Sequence, residues 1–85
     1  MQFLKSLFKP ASRYKINKYP TSSGYEYGAF YYDNGVWWSI DRFGTTGVAE
    51  SSIMRYGPFH STYEEAGAAV NRHATNGGAE TVWEA

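Results

Sequence analysis

Cysteine is absent from these 85 residues, which excludes a disulfide scaffold and a thiolate metal site without fixing a redox compartment. Leucine is nearly absent: Leu4 and Leu7 are the only two, so aliphatic side chains cannot carry the core. No apolar run approaches the roughly 20 residues that span a bilayer. The opening MQFLKSLFKP also lacks the longer apolar stretch and small-residue cleavage site of a secretory signal. The expectation is a soluble, cytoplasmic chain with no membrane span. Aromatic residues fill the gap left by the missing aliphatics, with 8 Tyr, 5 Phe and 3 Trp. In one domain of this size, with room for one modest core, those rings must supply most of the buried area.

Net charge is zero but unevenly placed. Lys5, Lys9, Arg13, Lys15 and Lys18 make the first 18 residues +5 with no acid, while 3 basic and 8 acidic residues leave the remainder at −5. This pattern predicts a basic arm on an acidic body, and summed fields of that kind steer encounters at longer range than single contacts. Phe3, Leu4, Leu7 and Phe8 fall on one side of a helical turn that Pro10 stops. So short a helix orders only when its apolar side meets a surface. Residues 1–12 therefore read as a basic amphipathic arm with a short helical segment, and residues 13–85 as a single α+β domain.

Within that domain RYKINKY, residues 13–19, alternates as a half-buried strand with Tyr14 and Ile16 on one side and Lys15 and Asn17 on the other. Residues 20–24, PTSSG, read as a turn. In the run YEYGAFYYDNGVWWSIDRF, residues 25–43, Asn34-Gly35 predicts a two-residue type I′ hairpin. That turn fixes the pairs Tyr32 with Trp37, Phe30 with Ser39 and Gly28 with Asp41. One face then carries Tyr27, Ala29, Tyr31, Val36, Trp38 and Ile40, the more aliphatic set and the expected core. The other carries Glu26, Phe30, Tyr32, Trp37, Asp41 and Phe43, rings bordered by acids. A sheet with rings on both faces needs both faces covered, and one cover can be a partner.

GTTG, residues 44–47, turns the chain into an expected strand over 48–56, ended by Gly57-Pro58. Ser61-Thr62-Tyr63-Glu64 reads as a capping box with Ser61 as the cap. Ala66, Ala69, Val70 and Ala74 line the following helix, with Tyr63 and His73 beside them, up to an Asn76-Gly77-Gly78 stop. AETVWE, residues 79–84, alternates as a last strand. The predicted fold is α+β: an antiparallel sheet of four to five strands in the order β-β-β-β-α-β, with one helix packed on one face.

The string GPFHSTYEEAGAAV, residues 57–70, resembles the strand, Gly-Pro-Phe turn, capped helix and Ala-rich face in the second half of SPOR peptidoglycan-binding domains. The resemblance runs from Met54 to about His73 and implies glycan binding. The first half departs from it, with consecutive strands where a crossover helix would stand. Size and aromatic density also make the chain similar to small phage- or prophage-encoded accessory proteins, which implies an inhibitor acting in the host cytoplasm.

Catalytic patterns are missing. His60 and Glu64 stand at i, i+4 and His73 follows 13 residues after His60, but no third metal ligand suggests itself, and His60 reads as a solvated corner residue. No G-x-S-x-G elbow or phosphate-cradling loop occurs, and Glu26 and Asp41 have no evident cleft between them. The expectation is a non-enzymatic protein without cofactor or metal. Its partner-binding residues would be Glu26, Phe30, Tyr32, Trp37, Asp41 and Phe43, docking on a host protein and inhibiting a host or defence enzyme by covering its surface. Two alternatives stand beside this. One is a nucleic-acid accessory protein using Lys5, Lys9, Arg13, Lys15 and Lys18, which the acidic body disfavours. The other is a structural homodimer closed through the arm or a strand edge. The arm's apolar side folding over Phe30, Tyr32 and Trp37 would remove the patch altogether.

Overall fold

The structure is a computed structural model, and it describes residues 13–76. Four antiparallel strands, β1 (Tyr14–Thr21), β2 (Gly24–Asp33), β3 (Val36–Ile40) and β4 (Thr46–Ala49), form one open meander in sequence order. A 3-10 turn over Glu50–Ser52 and one helical turn, α1 (Ile53–Tyr56), come next, and the long helix α2 (Tyr63–Asn76) follows. The expected arm helix and the last strand over 79–84 lie outside the described residues.

The hairpin forms as the Asn-Gly pair requires. Asn34 and Gly35 both have positive φ, 55° and 84°. Tyr32 pairs with Trp37 and Phe30 with Ser39. The third expected pair, Gly28 with Asp41, does not form, because the β2–β3 ladder ends at the Phe30–Ser39 pair and β3 itself ends at Ile40. His60 takes up the vacated edge: its amide and carbonyl exchange hydrogen bonds of 2.7 and 2.9 Å with Tyr27. The first hairpin is tighter than its sequence suggests. Thr21 pairs with Gly24, so only Ser22-Ser23 turns, and Pro20 sits inside β1 on the sheet's edge. An outermost strand tolerates a proline, since the missing N–H can point away from the ladder.

On one face α2 packs as its small-residue stripe predicts. Ala66 and Ala69 are buried against Ala29 and Ile40, with Tyr14, Ile16, Tyr27, Tyr31 and Val70 closing around them. Helix capping is shifted one residue from expectation. Thr62 is the cap, its Oγ1 accepting from the Glu65 amide at 3.0 Å, while the Glu65 carboxylate accepts from the Ser61 amide at 3.2 Å. The reciprocal logic of a capping box is kept with Glu65 in place of Glu64.

The opposite face departs most from expectation. The strand expected over 48–56 stops at Ala49, and the chain instead turns across the sheet. Glu50 accepts from Lys15 Nζ at 3.1 Å and Asn17 Nδ2 at 2.8 Å on β1. Farther along, the Phe59 ring meets Tyr19 edge-on, 5.2 Å between centroids. Between these two anchor points Ile53 and Phe30 are buried, and the Phe30 ring lies over Gly28 so closely that a Cβ there would stand 2.9 Å from it. The sheet is thus covered on both faces by its own chain, not by one helix on one side.

Candidate functional site

The six ring-and-acid residues expected to form one patch are divided by that cover. Phe30, the centre of the expected patch, is fully buried and cannot dock on anything. This corrects the expectation, and the reason is the segment after β4, which crosses the second face where a strand was expected. Tyr32 and Trp37 remain at the hairpin end, 5.1 Å apart. Tyr32 is 39% exposed, and the half-buried Trp37 lies under the Lys15 ammonium at 4.5 Å from its centroid. Glu26 is half-buried on β2 opposite Tyr19. Asp41 and Phe43 are at the other end of β3, in the turn that leads to β4.

The basic residues are divided as well. Lys5 and Lys9 lie outside the described residues. Arg13 donates to the Tyr32 carbonyl at 3.1 Å and approaches Asp33 at 3.5 Å. Lys15 is held by Glu50, and Lys18 lies 4.1 Å above the Tyr25 ring. Each of the three is engaged with the body, so they do not form a free basic strip.

The turn after β3 is where geometry concentrates. Asp41 organises it through four hydrogen bonds. Its Oδ1 accepts from the amides of Phe43 and Thr45, both at 2.9 Å, its carbonyl accepts from Gly44 N at 2.9 Å, and its own amide donates to the Thr45 carbonyl at 3.0 Å. Asp41 is therefore a turn-former as well as an acid at the rim of the sheet. Gly44 has φ of 85° and lies against α2, where an added Cβ would come within 2.8 Å of Arg72 Cβ. From that helix Arg72 reaches back to donate to the Arg42 carbonyl at 3.0 Å. A turn fixed from inside and from the helix side leaves the Phe43 ring outward, 66% exposed, with the Arg42 guanidinium 4.8 Å over it.

Between this turn, the Pro58–Ser61 stretch and the first turns of α2 lies a cleft of about 590 Å³, with Phe43 and Phe59 as apolar walls and Ala68 of the helix beneath. His60 lines it as well, although it is only 5% exposed. Its burial overturns the expectation of a solvated corner residue. Nε2 stands 2.9 Å from the Ile40 carbonyl, which can only accept, so that nitrogen carries the hydrogen. His60 thus ties off the end of β3 and builds the cleft wall.

His73 belongs to another place. Its Nδ1 stands 2.7 Å from the Tyr14 hydroxyl, and its ring lies 4.4 Å from that of Tyr31. Burial pushes the imidazole below its ordinary value. Burial, then the neighbouring Tyr31, push the Tyr14 hydroxyl up against a smaller opposing effect of Arg13. Both directions favour a neutral imidazole accepting from a protonated phenol. Among the described residues no cluster of three His, Cys, Asp or Glu side chains suits a metal ion, and no helix is long and apolar enough to cross a membrane.

Sequence reasoning missed the roles of Glu50, Phe59, His60 and Arg72. Phe59 and His60 carried a signal in the Gly-Pro-Phe break, which marks a corner but not what the corner packs on. Glu50 and Arg72 act on partners 30 or more residues away, and no local spacing encodes that. No protein-family model matches the chain, and no curated protein or solved structure matches it either, so the chemistry of this site rests on its geometry.

Proposed function

We propose that this protein is a non-catalytic protein-binding module that docks through the Asp41–Gly44 turn, with Phe43 as its anchor and the neighbouring cleft as its receiving surface. The observation that carries the reading is the contrast at Phe43: a large ring 66% exposed on a turn closed by the four hydrogen bonds of Asp41. Exposing a ring to water has no benefit in the free protein. Holding it on a preformed turn lowers the ordering cost of placing it in another protein's pocket. Aromatic anchors beside a cleft are also where interface energy concentrates. In its narrower form the reading is an inhibitor that covers the surface of an enzyme, in a phage setting a host or defence enzyme, since a rigid protruding turn occludes without needing chemistry.

The test is affinity capture from the native host with wild-type protein and the Phe43→Ala variant, read by mass spectrometry. Phe43 is solvent-exposed, so the variant is expected to keep the wild-type thermal midpoint and lose the captured protein. Equal capture by both proteins would remove the turn as the docking element. Capture lost instead in Tyr32→Ala would move it to the hairpin end.

A further inference from the structure

Asp41 gives the turn after β3 its shape, yet none of its four hydrogen bonds leaves that turn: all end on residues 43–45. The Gly44 amide closes a turn with Arg42 and Phe43 at its centre, and Gly44 follows with φ of 85°. Asp first and Gly last suit such a three-residue hairpin loop. Shape is not placement, however. The loop hangs from β3 and from β4, a four-residue strand at the sheet's edge whose pairing with β3 is irregular between Trp38 and Ile40. So short an edge ladder resists local opening weakly, and a loop of fixed shape can still swing on it. What holds the loop in place is α2. The Arg72 Nη1 bond to the Arg42 carbonyl, 3.0 Å, is the one hydrogen bond among the described residues that joins loop to helix. That carbonyl belongs to the same peptide as the Phe43 N–H, which Asp41 Oδ1 holds at 2.9 Å. One peptide plane is thus fixed in shape from inside the turn and in place from the helix. Gly44 is seated on the same stretch of α2, where an added Cβ would stand 2.8 Å from Arg72 Cβ and 3.0 Å from the His73 amide nitrogen.

From this division of labour, and resting on the protein-binding reading above, we propose that Arg72 is the positioning residue of the docking site. It sets where the Phe43 ring stands relative to Phe59 and Ala68, the cleft walls that come from other parts of the chain. A loop that keeps its shape but swings offers the same ring at varying distance from the cleft. A partner that engages ring and cleft together binds only the fraction correctly placed, and its apparent affinity falls by that fraction. Arg72 touches the turn through its backbone and leaves the Phe43 ring free, so it acts on docking through Phe43.

Two NMR signatures of the free, full-length protein separate placement from shape. The cross-peak between the Gly44 Hα and His73 amide protons reports placement on α2, and the cross-peak between the Phe43 and Gly44 amide protons reports the shape of the turn. Arg72→Ala keeps the Cβ that Gly44 packs against and removes the donor. In that variant the first cross-peak is expected to weaken and the second to persist, while the amide order parameters of Phe43 and Gly44 fall from about 0.85 to about 0.6. Arg72→Lys retains a cationic donor on a long stem and should recover most of the loss. An unchanged Gly44–His73 cross-peak with rigid amides in Arg72→Ala would overturn the assignment. Loss of both cross-peaks together would overturn it as well, since Arg72 would then support the fold generally and not the placement of one loop. The docking consequence is read by capture from the native host lysate: a loop correctly placed about a fifth of the time binds about fivefold more weakly. Arg72→Ala should therefore retain less of the protein that wild type holds and Phe43→Ala loses, with Arg72→Lys in between. Undiminished capture by a loosened Arg72→Ala would overturn its role in docking, whereas normal capture by Phe43→Ala removes the docking turn itself and leaves the NMR result standing.

Discussion

Phe30 shows how far single residues can be read. Alternation and the Asn34-Gly35 turn place it correctly on the face opposite α2, paired with Ser39. The sequence offers no sign that this face is closed over it, because the closing residues, Glu50 and Ile53, lie in a stretch that reads as strand. Its role follows from the burial: Phe30→Ala is expected to cost about 3–5 kcal/mol, as removal of a buried ring does. Tyr32→Ala, two residues away and 39% exposed, should cost less than about 1.5 kcal/mol, in line with ordinary surface changes plus one lost ring contact. Urea midpoints of the two variants check this. Similar losses would mean that Phe30 is not the centre of the second core. Asp41 shows the converse: it was legible as an acid near rings but not as a turn-former, because Asp-Arg-Phe-Gly is compatible with strand or turn until β3 is seen to end at Ile40.

At the scale of elements, those whose partners are local were legible, and those fixed by distant contacts were not. The β2–β3 hairpin follows from two residues with positive φ, and the α2 stripe from its alanines. The segment over 50–56 lacks any glycine or proline that would forbid a strand. What turns it is Glu50 reaching Lys15 and Asn17 on β1 together with the burial of Ile53, a tertiary override of a weak local preference. Between these extremes is the start of α2, where the motif was recognised one residue too early. Two adjacent hydroxyl residues, each followed three positions later by a glutamate, offer two registers, and only one leaves the Glu65 amide facing Thr62 Oγ1. The expected consequence is that Thr62→Ala lowers stability by about 1 kcal/mol while Ser61→Ala changes it by less than half as much. The reverse order in thermal or denaturant unfolding would restore Ser61 as the cap.

Across the whole molecule, the sheet is a wall shared by two small cores, and the α2 side is closed at one end by the pair of Tyr14 with His73. Because β1 and α2 are separated by almost the full described chain, this pair exists only in the folded protein, so its titration is coupled to global unfolding. His73 is held below its ordinary value of 6.5 by burial, so as pH falls through that value the unfolded chain takes up a proton that the folded chain resists. Stability is therefore present above about pH 6.5 and lost below it. Tyr14 works in the opposite direction. With its hydroxyl held above 10.0 by burial and by Tyr31, the unfolded chain ionises first on the alkaline side, and stability falls as pH rises past about 10. The acid limb is separable from the carboxylates, which protonate lower, by comparing unfolding free energies between about pH 7.5 and 5.5 for wild type and His73→Gln. The wild-type protein should lose stability over that interval and the variant should lose less. Parallel curves would show that the imidazole beside Tyr14 is not what limits the fold at mild acidity.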